Sequence, residues 1–99
     1  MDNGVRIVEQ NFYSKKGEID LIGWDDKYLV FFEVKFRSSN EYGLAYEAVN
    51  YKKIKNICRV SDYYRLKNNI REDVFIRYDV ISIEGERIDW IKNAFDYTR

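Results

Sequence analysis

The order of hydrophobic and polar positions along the chain predicts five β-strands and one long helix. Residues 18–24 and 28–36 are rich in aliphatic and aromatic side chains and are separated by a short polar stretch, which is typical of an antiparallel hairpin. Weaker strand patterns cover residues 6–13, 74–83 and 87–95, and apolar residues recur at helical spacing over 45–66. This order favours a single α/β domain over residues 1–99, mixed α+β in character, with a central mixed sheet of about five strands flanked by the helix.

The hairpin has two predicted faces because successive strand residues point to opposite sides of a sheet. One face is almost wholly apolar and is expected to be core: Ile19, Leu21, Tyr28, Val30, Phe32, Val34 and Phe36. On the second face, the register of the hairpin determines which residue lies opposite Asp20. A two-residue turn at Asp26 and Lys27 places Asp20 opposite Glu33, whereas a turn at Asp25 and Asp26 places Asp20 one diagonal step away.

The second face is polar at the end of the hairpin away from the turn. Five charged residues share this face: Glu18, Asp20, Glu33, Lys35 and Arg37. Two opposed carboxylates repel each other, so their placement needs a compensating cation. Mg²⁺ or Mn²⁺ would supply it, with Asp20 and Glu33 as ligands, the Val34 carbonyl as a further ligand, and Lys35 directed at a water molecule and a phosphate. The alternative is a solvated ladder of cross-strand ion pairs, each contributing under about 1 kcal/mol.

Composition narrows the chemistry further. Lys plus Arg and Asp plus Glu both number 17, so binding of nucleic acid would rest on local rather than overall charge. The chain has no histidine and only one cysteine, Cys58, which excludes imidazole-based triads and the usual zinc ligand sets. We expect Cys58 to be buried and, with no intramolecular disulfide and no leader pattern, the protein to be cytoplasmic.

Two motifs resemble the PD-(D/E)XK nuclease signature: Gly17 to Leu21, which contains Asp20, and Phe32 to Arg37, which contains Glu33 and Lys35. More specifically, the chain resembles the YraN-like family of bacterial proteins. The further matching segments are Asn11-Phe12, Glu47-Ala48-Val49, Lys52-Lys53, Arg77 to Val80 and Asn93-Ala94-Phe95.

The resemblance implies a restriction-endonuclease-like fold, related to Holliday-junction resolvases, in which Asp20, Glu33 and Lys35 take the active-site positions. It implies a metal-dependent endonuclease that acts on DNA, with structured or branched DNA among the candidate substrates and RNA as the alternative. Relatives begin with a helix that carries a Gly-Glu pair, and Met1 falls where that helix would be ending. The rival hypothesis is a catalytically silent domain that binds nucleic acid or protein on the same scaffold.

Two further expectations concern contacts. Lys52, Lys55 and Arg59 fall on one side of the predicted helix, where they would follow a phosphate backbone together with Arg37, unless they form only a solvated face. Without the relatives' first helix, an apolar patch on the second hairpin face is expected to stay partly open and to drive formation of a homodimer or higher oligomer. The patch consists of Ile22, Trp24, Leu29 and Phe31. Residues 2–10 folding back over it would instead keep the chain monomeric.

Overall fold

The computed structural model describes residues 4–37 and 50–99. Their elements follow the predicted order, and the bounds are β1 (Arg6–Ser14), β2 (Gly17–Asp25), β3 (Tyr28–Phe36), α1 (Tyr51–Lys67), β4 (Phe75–Glu84) and β5 (Arg87–Phe95). The α/β fold with a mixed five-stranded sheet is therefore confirmed. Of the predicted helix 45–66, residues 45–49 lie outside the described part of the chain.

The strands lie side by side in sequence order. All neighbouring pairs are antiparallel except β3 and β4, which run parallel and are joined by the connection that contains α1. In the β2–β3 hairpin Asp25 pairs with Tyr28, so Asp26 and Lys27 form a two-residue turn. Asp26 has a φ of 55°, the left-handed conformation that such turns require and that aspartate tolerates. This is the register that directs Asp20 towards Glu33.

Helix α1 begins at an N-cap. The Asn50 side chain accepts a hydrogen bond from the Lys53 backbone N–H at 2.9 Å, which satisfies one of the free donors of the first turn. From there the inward stripe of the helix packs on the sheet. The buried cluster that results contains Phe12, Ile19, Ile22, Leu29, Phe31, Ile57, Cys58, Val60, Tyr64, Tyr78 and Val80. Burial of Cys58 was predicted and is confirmed.

This packing corrects the predicted assignment of the hairpin faces. α1 covers the side of the sheet that carries Ile22, Leu29 and Phe31, and these three side chains are at most 1% exposed. The patch expected to remain open is therefore buried within one chain, except that Trp24 is half-buried. These residues are therefore not available for self-association, and the predicted homodimer or higher oligomer stays a prediction without that support.

Two further residues depart from the predicted core. Phe36 is 76% exposed, because it is the last residue of β3. Ile19 packs on the α1 side rather than with Val30 and Phe32, which belong to a second buried cluster on the other side of the sheet. The alternation of β2 side chains between the two sides of the sheet is therefore interrupted at Asp20. On β1, the residue opposite this point is Asn11, whose φ is 50°.

The second cluster surrounds a buried aspartate. Asp79 is fully buried, and its carboxylate accepts hydrogen bonds from the Arg77 guanidinium, the Trp90 indole N–H and the Asn93 backbone N–H at 2.7 to 2.9 Å. Arg77 also donates to Asp25 at 2.7 Å. Protein donors occupy all acceptor positions of the Asp79 carboxylate. Asp79 therefore has a structural role, because its hydrogen bonds to Trp90 and Asn93 join β4 to β5. Within the described ranges, no helix has the length and apolar character needed to cross a bilayer.

Candidate metal and phosphate site

The site lies where the backbone pairing of β2 and β3 ends. The last pair is Leu21 with Phe32, and continuing the same register by one residue would put Asp20 opposite Glu33. At this point the Asp20 carboxylate turns towards β3 and accepts a hydrogen bond from the Val34 backbone N–H at 2.8 Å. The Asp20 side chain thus binds β3 at a position where a backbone carbonyl of β2 would otherwise accept, and its carboxylate lies within electrostatic reach of Glu33 and Lys53.

Glu33 is the most enclosed charged group of the site, with 6% of its surface exposed. Its Oε1 lies 2.6 Å from the Nζ of Lys53 and 3.6 Å from the Nζ of Lys35. A carboxylate taken out of water to this extent is unfavourable unless positive charge offsets it. The two ammonium groups supply that charge in the described structure.

The role of Lys53 was not predicted from the sequence, in which it appeared only as part of a family motif. The cationic helix face was predicted to consist of Lys52, Lys55 and Arg59. A signal was present, because Lys53 precedes the buried positions Ile57 and Val60 by four and seven residues and so falls on the inward stripe. The N-cap at Asn50 fixes that first turn, which directs the Lys53 side chain to Glu33.

The electrostatics of the site reflect its burial and its crowded charges. Burial raises the pKa of the Asp20 carboxyl; the hydrogen bond from Val34 opposes the rise, and the charges of Glu33 and Glu18 add to it. The pKa of Lys35 is lowered, first by the neighbouring ammonium group of Lys53, which favours the neutral form of Lys35, and then by burial. Two carboxylates and two lysines thus share a small, partly buried volume.

The donor set fits a hard divalent cation. Mg²⁺ is commonly held by one or two carboxylates and keeps several waters, so Asp20 and Glu33 would suffice as side-chain ligands. In the part of the chain that the structure describes, no group of three or more His, Cys, Asp and Glu side chains converges to hold a metal ion. The Val34 carbonyl as a ligand remains a prediction; the structure brings Val34 to Asp20 through its N–H. A cation at Glu33 would have to share or replace the contact with Lys53.

The other residues predicted to contact phosphate are Arg37, Lys52, Lys55 and Arg59, and the structure places them in different surroundings. The backbone N–H of Arg37 donates to the Ile83 carbonyl at 2.7 Å, directly after β3. Lys52 is exposed on the first turn of α1, and the Nζ of Lys55 lies 5.6 Å from the centre of the Tyr51 ring. Arg59 is tied to neighbouring groups, because it pairs with Asp62 at 3.1 Å and donates to the carbonyl of Thr98 and the hydroxyl of Tyr97 at 2.7 and 3.0 Å.

Comparison with known proteins agrees with the resemblance read from the motifs. The model of "Uncharacterised protein family UPF0102" matches residues 1–83. A UPF0102 protein of Legionella pneumophila strain Corby is 42% identical over 97 residues, covering 96% of this chain and 82% of that protein. The UPF0102 protein FN1370 of Fusobacterium nucleatum is 42% identical over 88 residues, covering 89% of this chain and 73% of that protein. The UPF0102 protein VSAL_I2655 of Aliivibrio salmonicida is 44% identical over 91 residues, covering 89% and 74%. The chain therefore belongs to the UPF0102 family, the family that the motifs identify as YraN-like.

Proposed function

We propose that this protein is a Mg²⁺- or Mn²⁺-dependent endonuclease that cleaves phosphodiester bonds in DNA. The observation that carries the proposal lies at the end of the β2–β3 ladder, where the Asp20 carboxylate is fixed by the Val34 N–H and its charge acts with that of Glu33. Glu33 in turn contacts Lys35. Solvated ion-pair ladders involve exposed side chains, whereas Glu33 is buried and held from two elements. Such a closely defined arrangement of unlike charges is what phosphate chemistry requires.

Each residue has a distinct part in this proposal. Asp20 and Glu33 hold the divalent ion, which when bound neutralises charge on the phosphate and makes water a better nucleophile. Lys35 is the catalytic cation that contacts the water or the scissile phosphate. Lys53 offsets the charge of the buried Glu33 carboxylate through its contact with Oε1, and a bound metal ion would share or replace that contact.

The proposal is tested by incubating the protein with supercoiled plasmid, linear duplex and four-way-junction DNA, with Mn²⁺ or with chelator. We expect cleavage with the metal ion only, and loss of cleavage in Asp20→Asn and Glu33→Gln. Asp89→Asn is a matched control, because Asp89 pairs with Arg87 on an exposed strand and leaves the site intact. Equal cleavage by all of these proteins would overturn the assignment of the site.

Lys35→Ala separates binding from catalysis. It removes the proposed catalytic cation without removing a metal ligand, so Mn²⁺ binding measured by calorimetry should persist while cleavage is lost. Far-UV circular dichroism of every variant checks that the fold survives, since loss of cleavage through unfolding would carry no information on the mechanism.

One observation favours a second candidate, a catalytically silent domain that binds nucleic acid. Glu33 is already balanced by two lysines, so the charges of the site are compensated without a metal ion. The same calorimetry decides between the two candidates. Binding of Mn²⁺ that is lost in Glu33→Gln favours the nuclease, and absence of metal binding together with retained binding of DNA favours the silent domain.

A further inference from the structure

A separate pocket lies between the β1–β2 turn and the middle of α1. Its volume is about 410 Å³, which falls within the roughly 300–1,000 Å³ common for small-ligand sites. The residues that line it are basic, aromatic or hydroxylated: Tyr13, Ser14, Lys15, Lys16, Arg59 and Tyr63. None of the lining residues is acidic, so the pocket is suited to an anionic ligand.

The cations of the pocket differ in how firmly they are held. Lys15 and Lys16 form the turn between Ser14 and Gly17, and both are exposed. Across residues 4–37 and 50–99, neither lysine forms an ion pair, so both ammonium groups can meet a phosphate. The Arg59 side chain is held in place by a hydrogen bond to the carbonyl of Thr98 and by an ion pair with Asp62. It therefore lines the pocket in a fixed position.

The two aromatic rings of the pocket are open to solvent yet restrained. Tyr13 is 70% exposed and Tyr63 is 46% exposed. Tyr63 packs against Phe12 with ring centres 5.9 Å apart, which limits its rotation. The backbone of Tyr13 pairs with Glu18 across the β1–β2 ladder, which restrains the position of the second ring. Exposed aromatic faces beside unpaired lysines are the usual means of binding single-stranded nucleic acid, where bases stack and phosphates meet cations.

The pocket adjoins the candidate site. Tyr13 of the pocket pairs with Glu18 across the β1–β2 ladder, two residues before Asp20 on β2. Along α1, Arg59 of the pocket and Lys53 of the site are separated by an axial rise of about 9 Å. A strand bound in the pocket therefore has a short path to the metal and phosphate site.

From these observations we infer that the pocket binds an unpaired nucleic-acid strand, with bases stacked on Tyr13 and Tyr63 and phosphates on Lys15 and Lys16. The inference rests on the proposed function and names the form of its substrate: a single-stranded segment next to the bond that is cut. A duplex offers its phosphates to the lysines but keeps its bases stacked within the helix, so it leaves the two rings unused.

The test is fluorescence anisotropy with a labelled oligothymidylate of about twelve nucleotides, within the roughly 4–16 that one such surface covers. Chelator is present throughout, so binding is measured without cleavage. We expect the double variant Lys15→Glu/Lys16→Glu to weaken binding at least tenfold and to reduce the slope of log K against log salt by at least about 1.4, or about 0.7 for each lost phosphate contact. Lys27→Glu/Arg71→Glu carries the same change in net charge at exposed positions outside the pocket and is the matched control.

The aromatic contribution is tested separately. Tyr13→Leu should weaken binding at least fivefold, the lower end of the effect of losing one stacked base, and Tyr13→Phe should not, because it keeps the ring. Tyr51→Leu removes an equally exposed ring outside the pocket and should leave binding unchanged. The inference is overturned if the two charge variants weaken binding equally, if Tyr13→Leu binds as the wild type does, or if thymidine monophosphate binds as tightly as the oligonucleotide.

Failure of this inference and failure of the proposed function give different results. Oligonucleotide binding that depends on Lys15, Lys16 and Tyr13, without cleavage in Mn²⁺, leaves the pocket inference standing and removes the nuclease. Mn²⁺-dependent cleavage that is lost in Asp20→Asn but unaffected by the pocket variants leaves the nuclease standing and removes the inference.

Discussion

Replacing Asp79 by asparagine should destabilise the protein more than any conservative change at the surface. The carboxylate is fully buried and accepts four hydrogen bonds, two of them from the Arg77 guanidinium. Asparagine preserves the shape but replaces one acceptor oxygen with an NH₂ group, which then faces donors. The negative charge of Asp79 that balances Arg77 is also lost, which leaves Asp25 as the carboxylate paired with the guanidinium among the residues that the structure describes.

The expected magnitude follows from these contacts. Removing one partner of a buried ion pair destabilises by about 3–5 kcal/mol, because the other charge stays buried without compensation. Arg77 keeps its bond to Asp25, so the lower half of this range, about 3–4 kcal/mol, is the more appropriate. A domain of this size has a total stability of roughly 5–15 kcal/mol, so the loss is a large fraction of it. At about 4–8 °C per kcal/mol, Tm should fall by at least about 12 °C.

The assay is thermal and urea unfolding followed by circular dichroism and by tryptophan fluorescence, since Trp90 contacts Asp79 directly. Asp89→Asn is the control, because its ion pair with Arg87 is exposed and should contribute no more than about 0.5 kcal/mol. A loss of stability below about 1 kcal/mol in Asp79→Asn would refute the view that this carboxylate ties β4 to β5.

Three further predictions concern the site and the core. Lys53→Met should strengthen Mn²⁺ binding in calorimetry by removing the cation that competes for Glu33, whereas Lys52→Met should not; unchanged affinity in both would exclude that competition. Burial of the Cys58 thiol predicts that it reacts with Ellman's reagent only at the rate of unfolding, and fast reaction of the folded protein would show that α1 leaves the sheet. Phe31→Glu should unfold the chain rather than dissociate an oligomer, because it places an unpaired charge in the core. Circular dichroism measures the loss of structure, and sedimentation of the soluble fraction measures the mass.

Much of the fold is already present in local sequence patterns. The period-two runs identified the strands, and the polar residues between Trp24 and Tyr28 limited the hairpin to two registers. The same alternation gathered Asp20, Glu33 and Lys35 at one end of the hairpin before any tertiary contact was known. These inferences succeed because strand geometry and short turns depend on neighbouring residues only.

The tertiary structure decided which face of the sheet α1 covers and therefore which residues are buried. Both faces of the hairpin are apolar near the turn, so the sequence could not rank Phe31 against Phe32 as the contact for the helix. Packing of α1 on the Phe31 side buries the patch predicted to be open and brings Lys53 to Glu33. Asp79 gains its four donors in the same way, from residues that only the β4–β5 pairing brings together. Local sequence determined the elements and their polar ends, whereas long-range packing of α1 and β5 selected the partners of the buried charges.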